Sequence, residues 1–124
     1  MWSFDNDRAI YLQIMDNLII DILSNKYPDK LPTVRDLATE IKVNPNTVQK
    51  AYSELEKLNI IETQRTNGRF VTNDLELLNK VKIDLACQDT LVYLNKMKSL
   101  QFTKNEIIDL ISEVGKDEEN DNTM

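Results

Sequence analysis

Apolar residues recur at helical spacing along most of the chain. In "AIYLQIMDNLIIDILSNKY", Ile10, Ile14, Leu18 and Ile22 form one stripe flanked by Tyr11, Met15 and Leu23. This spacing predicts an amphipathic helix from about Ala9 to Ser24, with Asp7 as its cap. Trp2 and Phe4 precede it and are expected to pack on that helix or on a partner chain. A second helix opens at Pro32-Thr33, with Thr33 as N-cap and Asp36 at the capping-box position. Leu37, Ala38 and Ile41 are its inward face, and it stops near Lys42. Asn44 caps a third helix, and Pro45 suits its first turn, where no intrahelical N–H is lost. Val48, Ala51, Tyr52, Leu55 and Leu58 form its buried face, and Asn59 tolerates the left-handed conformation of a helix end.

The period then changes. "NIIETQ" and "RFVTN" read as short strands, and the Asn67-Gly68 pair between them predicts a hairpin with a type I′ turn. Helical spacing resumes with Leu75, Leu78, Val81 and Leu85, then Val92, Leu94 and Met97. "SLQFTKNE" is a break in which Thr103 and Glu106 form a capping box. A last helix carries Ile107, Ile108, Leu110, Ile111 and Val114 and is expected to end at Gly115. Two helices cannot close a core alone, so their apolar residues must lie on the first domain or on another subunit, and a second subunit is the favoured expectation because symmetric pairing is the common solution. The fold class is therefore mainly α with a small β-hairpin: a winged helix-turn-helix followed by a short two-helix C-terminal dimerisation part. The expected domains are residues 1–74 for DNA binding, 75–115 for dimerisation and 116–124 as an acidic disordered tail. The expected dimer contacts are Leu78, Val81, Leu85, Val92, Met97, Ile107 and Ile111.

Composition narrows the function. There is no His, a single Cys and no Gly-rich phosphate loop, so metal, Ser-His and nucleotide-cradle chemistries lack parts; no enzyme activity, metal or cofactor is expected. Glu118-Glu119 sits in the acidic tail and cannot hold a catalytic geometry. Cys87 cannot form an intrachain disulfide; it reads as a buried, inert thiol, since no Lys or Arg cluster adjoins it. No apolar run nears the ~20 residues of a membrane span, and "MWSFDNDR" lacks the pattern of a signal peptide, so no membrane partner and a cytoplasmic location are expected. The net charge of −6 opposes nucleic acid, but it is unevenly spread. Between Lys26 and Thr72 eight basic residues face six acidic ones, while "KDEENDNTM" holds four acids and one Lys. The local field, rather than total charge, decides a nucleic-acid contact.

Two helices joined by a tight turn and followed by a hairpin form the layout in which one helix enters a major groove and the preceding helix braces it. The start of the third helix carries Asn46, Thr47, Gln49 and Lys50. Asn and Gln pair bidentately with adenine, Thr meets a thymine methyl, and Lys reaches guanine or phosphate. Arg35 is placed for phosphate, as are the helix N-termini at Thr33 and Asn44. The hairpin tip supplies Arg65, Asn67 and Arg69 for the backbone or minor groove. Outside this constellation Arg35 would read as a surface partner of Asp36 or Glu40, and Asn46, Thr47 and Gln49 as a solvated face.

The stretch "LPTVRDLATEIKVNPNTVQKAYSELEKLNIIETQRTNGRFV" resembles the DNA-binding domain of the GntR family of bacterial transcription regulators. "VNPNTVQKAYSELE", followed after the hairpin by only about fifty residues, resembles the YtrA subfamily. That resemblance implies a dimeric repressor with a short two-helix C-terminal part, often governing a transporter operon, and double-stranded DNA and a second copy as partners. It also implies that Arg35, Asn44, Asn46, Thr47, Gln49 and the tip Thr66-Asn67-Gly68 fall on DNA-contact positions. The chain departs from the family pattern at Lys42, Asn59 and Thr66, each standing where the family commonly has Gly. Two further readings are open: an adaptor that binds proteins through its winged helix, and a regulator with a small-molecule effector at the dimer interface. The sequence names no effector.

Overall fold

A computed structural model of the chain describes residues 2–65 and 67–122, with side chains omitted for 119–122. Thr66, expected at a DNA contact, lies outside the described residues. The helices are α1 (Ile10–Leu23), α2 (Val34–Ile41), α3 (Pro45–Lys57), α4 (Leu75–Ser99) and α5 (Lys104–Asn122), with strands β1 (Ile61–Gln64) and β2 (Gly68–Val71) between α3 and α4. The chain divides into two units, Met1–Lys82 and Ile83–Met124. The division falls inside α4 rather than at the expected boundary after residue 74.

The first unit is built on three apolar stripes. Ile14, Leu18 and Ile22 of α1, Leu37, Ala38 and Ile41 of α2, and Val48, Ala51, Tyr52 and Leu55 of α3 are buried in one cluster with Leu31, Ile60 and Ile61. Each large aliphatic side chain so buried stabilises the fold by about 1.5–3 kcal/mol. Leu58, expected in this face, is 52% exposed, because it is the C-cap of α3, where the chain turns away from the helix axis. Trp2 and Phe4 pack on the same cluster, edge to face at 6.5 Å. The arm that carries them is fastened by buried Gln13, whose Nε2 donates to the Asp5 and Arg8 carbonyls while its Oε1 accepts from the Asp5 N–H. Asp7 does not cap α1; Ala9 holds that position without a side-chain cap, and Asp7 lies in the preceding bend.

The other predicted caps form. Thr33 Oγ1 accepts from the Asp36 N–H at 3.0 Å, and Asn44 Oδ1 from the Asn46 N–H at 2.8 Å. Thr103 and Glu106 satisfy each other's N–H reciprocally. The helix C-termini use positive φ without glycine, at Asn25 (65°), Lys42 (59°), Asn59 (62°) and Gln101 (72°). After each of these the next N–H reaches back to the carbonyl five residues earlier, as in Lys26 to Asp21, Val43 to Ala38, Ile60 to Leu55 and Phe102 to Met97.

β1 and β2 pair antiparallel, Ile61 with Val71 and Gln64 with Gly68. The tip is not the expected two-residue turn. Asn67 N–H donates to the Gln64 carbonyl, and only Gly68 among the described tip residues has positive φ, +98°. Asn67 does not share the positive φ of Gly68, so the type I′ geometry, which needs positive φ at both central residues, is not formed at Asn67-Gly68. The segment before α2 adds itself to β2: Lys30 bridges Phe70, Leu31 N–H donates to the Arg69 carbonyl and Val71 N–H to the Asp29 carbonyl.

α4 begins with Asp74 as cap, its Oδ1 accepting from the Leu77 N–H. Leu78 and Val81, expected at a subunit interface, pack on this chain's own core, because α4's first two turns belong to the first unit. In the second unit Ile107 is buried and shares an apolar hollow with Leu94, Lys98 and Ile111. Ile107 too is therefore covered by its own chain. Leu85 and Met97 are half-buried, whereas Val92 and Ile111 are exposed. Cys87, expected buried, is exposed on α4. α5 does not stop at Gly115: it runs to Asn122, so the segment expected as a disordered tail is helical that far. Gly115 lacks the positive φ of a helix terminator and sits inside the helix, where it weakens but does not break it.

Because Lys42 carries a Cβ in left-handed backbone, Lys42→Gly is expected to raise stability by about 0.5–1 kcal/mol, the relief of a ~1–2 kcal/mol penalty less the extra chain entropy of Gly. Urea unfolding measures this. Lys42→Ala keeps the Cβ and should change stability far less; a loss on Lys42→Gly larger than on Lys42→Ala would contradict the account.

Candidate nucleic-acid interface

α3 has two opposite sides. Val48, Ala51, Tyr52 and Leu55 are fully buried, and Asn46, Gln49 and Lys50 are exposed, with Thr47 half-buried between them. The face is positioned by Tyr52, whose hydroxyl donates to the Pro32 carbonyl at 2.7 Å and so ties α3 to the start of α2. Burial raises the Tyr52 hydroxyl well above its ordinary pKa, which keeps it protonated as that donor. Asn44 spends its side-chain oxygen on the cap of α3. Arg35 is exposed on α2 and absent from the ion pairs among the described residues, so the surface pairing with Asp36 or Glu40 is not made.

The structure divides the cations expected on this surface. Arg65 and Asn67 are exposed at the hairpin tip. Lys50 extends towards α1, its Nζ 4.1 Å from the centroid of the Tyr11 ring. Arg69 does not project from the tip: its Nε donates to Glu56 Oε1 at 2.9 Å, its guanidinium lies 5.1 Å from the Tyr52 ring centroid, and its Nη2 donates to Gln49 Oε1 at 3.3 Å. Gln49 Nε2 in turn donates to Ser53 Oγ at 3.2 Å. Sequence reasoning placed Arg69 with Arg65 because both flank the turn. It lies instead on β2 opposite Thr63, one position beyond the tip pair, and leans on α3.

Lys30 was missed. Its Cε lies 3.1 Å from where a Cβ on Gly68 would stand, and its Nζ 5.9 Å from the Phe70 ring centroid, so a cation sits beside the hairpin tip. Its pairing with β2 is non-local, and no periodicity signals it. Among the described residues no cluster of His, Cys, Asp or Glu is arranged to hold a metal ion, and no helix is long and apolar enough to cross a membrane.

Glu56 joins α3 to both strands, accepting from Thr63 Oγ1 at 2.7 Å as well as from Arg69. Burial pushes its carboxyl up, but the hydrogen bonds from Arg69 and Thr63 and the Arg69 charge outweigh it, and the pKa is lowered from 4.5. A lowered folded-state pKa contributes stability that is present above the unfolded value and lost as pH falls through the folded one. The stability advantage of the protein over Glu56→Gln is therefore expected to be full near neutrality and to shrink below the ordinary value of 4.5. Urea midpoints of both proteins across pH would show it, and a pH-independent difference would contradict the assignment.

The profile of bacterial regulatory proteins of the gntR family matches residues 10–71, from α1 through the hairpin. The HTH-type transcriptional regulator YhcF of Bacillus subtilis is 38% identical over 109 residues, which cover 86% of this chain and 90% of YhcF. The HTH-type transcriptional repressor YtrA of the same organism is 59% identical over 71 residues, 56% of this chain and 55% of YtrA. A solved structure of a GntR family transcriptional regulator from Listeria monocytogenes superposes with a TM-score of 0.83 at 38% identity, covering 89% of this chain and 98% of that one. With its winged helix-turn-helix in place, the chain belongs to the GntR family and is a DNA-binding transcription regulator, not an enzyme.

Proposed function

We propose that the protein is a cytoplasmic, homodimeric repressor that reads a palindromic operator with α3. One observation carries this reading: the first turns of α3 present Asn46, Thr47 and Gln49 outward while the opposite side of the same helix is fully buried. These are neutral side chains suited to base edges, and Asn and Gln favour adenine. Arg35 on α2, Arg65 and Asn67 at the hairpin tip and Lys30 beside Gly68 are exposed and suit phosphates. Asn44, whose side-chain oxygen is committed to the cap, offers its amide nitrogen to a phosphate. Repression is supported by the name of YtrA, to which this chain is similar over 71 residues.

Dimerisation is supported by the second unit. Ile83, Leu91, Val92, Ile108, Ile111 and Val114 are all at least half exposed, Val92 at 70%. So much apolar surface on a short helical unit marks an interaction site. Self-association is the common solution, and a symmetric pair reads half-sites one helical turn or a multiple apart.

Arg35→Ala is expected to weaken binding to all sequences alike and to reduce the magnitude of the log–log salt slope by about one for each phosphate that is no longer neutralised. Gln49→Ala is expected to relax base preference at one position of each half-site, by about 1–3 kcal/mol. Fluorescence anisotropy with operator and base-substituted duplexes across a salt series separates the two. Equal losses for both variants on every sequence would refute the division of roles.

A further inference from the structure

We infer that Arg69 is a specificity-determining residue that acts through Gln49, fixing which end of its carboxamide accepts and which donates. The inference rests on the proposed reading of DNA by α3 and names a regulator of that reading within the same face.

A glutamine carboxamide is ambiguous. Rotated by half a turn, it exchanges an oxygen with two lone pairs for a nitrogen with two N–H groups at nearly the same place. Reading adenine needs one orientation, because N6 donates and N7 accepts; a flipped amide would present the wrong edge. Here the ambiguity is removed. Arg69 has donors only, so Nη2 at 3.3 Å from Gln49 Oε1 tolerates an oxygen there and repels an amide nitrogen. Ser53 Oγ, 3.2 Å from Nε2, accepts at the other end. Each interaction uses one of two valences. The carboxamide therefore keeps one lone pair and one N–H, the pair that adenine requires.

The guanidinium can impose this only if it is itself fixed, and it is held from two other directions. Its Nε donates to Glu56 Oε1 at 2.9 Å, and Glu56 is steadied by Thr63 Oγ1 at 2.7 Å. Its plane lies over Tyr52, 5.1 Å away, and Tyr52 is anchored to the Pro32 carbonyl. Only 22% of the Arg69 side chain is exposed, unlike a cation waiting for phosphate. The hydrogen bond to Gln49 spans twenty residues of sequence and joins β2 to the reading face of α3.

The test uses the full-length protein. A preferred duplex is selected from a randomised pool, Gln49→Ala identifies the base pair Gln49 reads, and all four pairs are then compared at that position by anisotropy across a salt series. Arg69→Ala and Arg69→Lys are both expected to lower discrimination at that one position, by roughly tenfold, with the salt slope unchanged. Neither should lower discrimination further in the Gln49→Ala background. Lysine keeps the charge beside Glu56 but lacks the fork that reaches two oxygens, so it also covers the case in which Arg69→Ala fails to fold. A wild-type preference in Arg69→Lys, or a uniform loss with a salt slope smaller by about one, would make Arg69 an ordinary phosphate contact and overturn the inference. If Gln49→Ala changes preference at no position, Gln49 reads no base, and the proposed reading fails before Arg69 is in question.

Discussion

The first unit depends on the complete burial of one side of α3. Val48, Ala51, Tyr52 and Leu55 have no exposed surface, and α1 and α2 supply the cover. A helix with one side fixed in this way cannot roll, so its opposite side is presented at a set angle. Tyr52 makes the constraint directional. Its hydroxyl holds the carbonyl of Pro32, just before the α2 cap, and its ring forms the floor under Arg69. This part-buried hydrogen bond contributes about 0.5–1.5 kcal/mol, in addition to what burial of the ring supplies.

From that constraint follows a separation of charge. Lys50 and Arg69 belong by sequence to the surface proposed to meet DNA, yet the head of each lies over an aromatic ring, exposed Lys50 over Tyr11 and half-buried Arg69 over Tyr52. The first turns of α3 keep neutral Asn46, Thr47 and Gln49, while Arg35 on α2, Arg65 at the hairpin tip and Lys30 beside Gly68 are separate exposed cations. Phosphates line the edges of a groove and base edges its floor, so neutral side chains on the reading helix and separate exposed cations suit the two kinds of contact. A chain of net charge −6 can still suit a polyanion, because the local field of such cations, rather than total charge, acts at the contact.

What the sequence disclosed was local. The stripes of the first three helices, Leu58 apart, the caps at Thr33 and Asn44, and the Thr103–Glu106 box all act within a few turns and formed as read. Helix ends were harder. The chain has two glycines, and neither ends a helix: Gly68 closes the hairpin loop and Gly115 lies inside α5. Termination falls to Asn25, Lys42, Asn59 and Gln101, of which Lys and Gln carry no stop signal in their chemistry. The positive φ there accompanies local hydrogen bonds that reach back five residues; Asn59 is legible in the sequence as suited to it, whereas nothing in the chemistry of Lys42 or Gln101 announces it. A residue-by-residue reading cannot see the Lys30–Phe70 bridge and the Arg69–Gln49 hydrogen bond, both of which exist only once the hairpin has folded back.

α4 shows why a single apolar stripe misleads on a long helix. Leu78 and Val81 serve the core of the first unit. From Ile83 onward a different set, Ile83, Ala86, Cys87, Thr90, Leu91 and Leu94, lines one shallow apolar surface in the second unit. Both sets obey helical spacing, so running them together yields a stripe belonging to neither. Leu78 and Val81, expected at a subunit interface, pack on the core of their own unit, whereas Ile83 and Leu91 are exposed, as is Cys87, which was expected to be buried. Helical period identifies which residues share a side of a helix. It does not say what covers that side, and where one helix crosses between two units the cover changes without any break in the period.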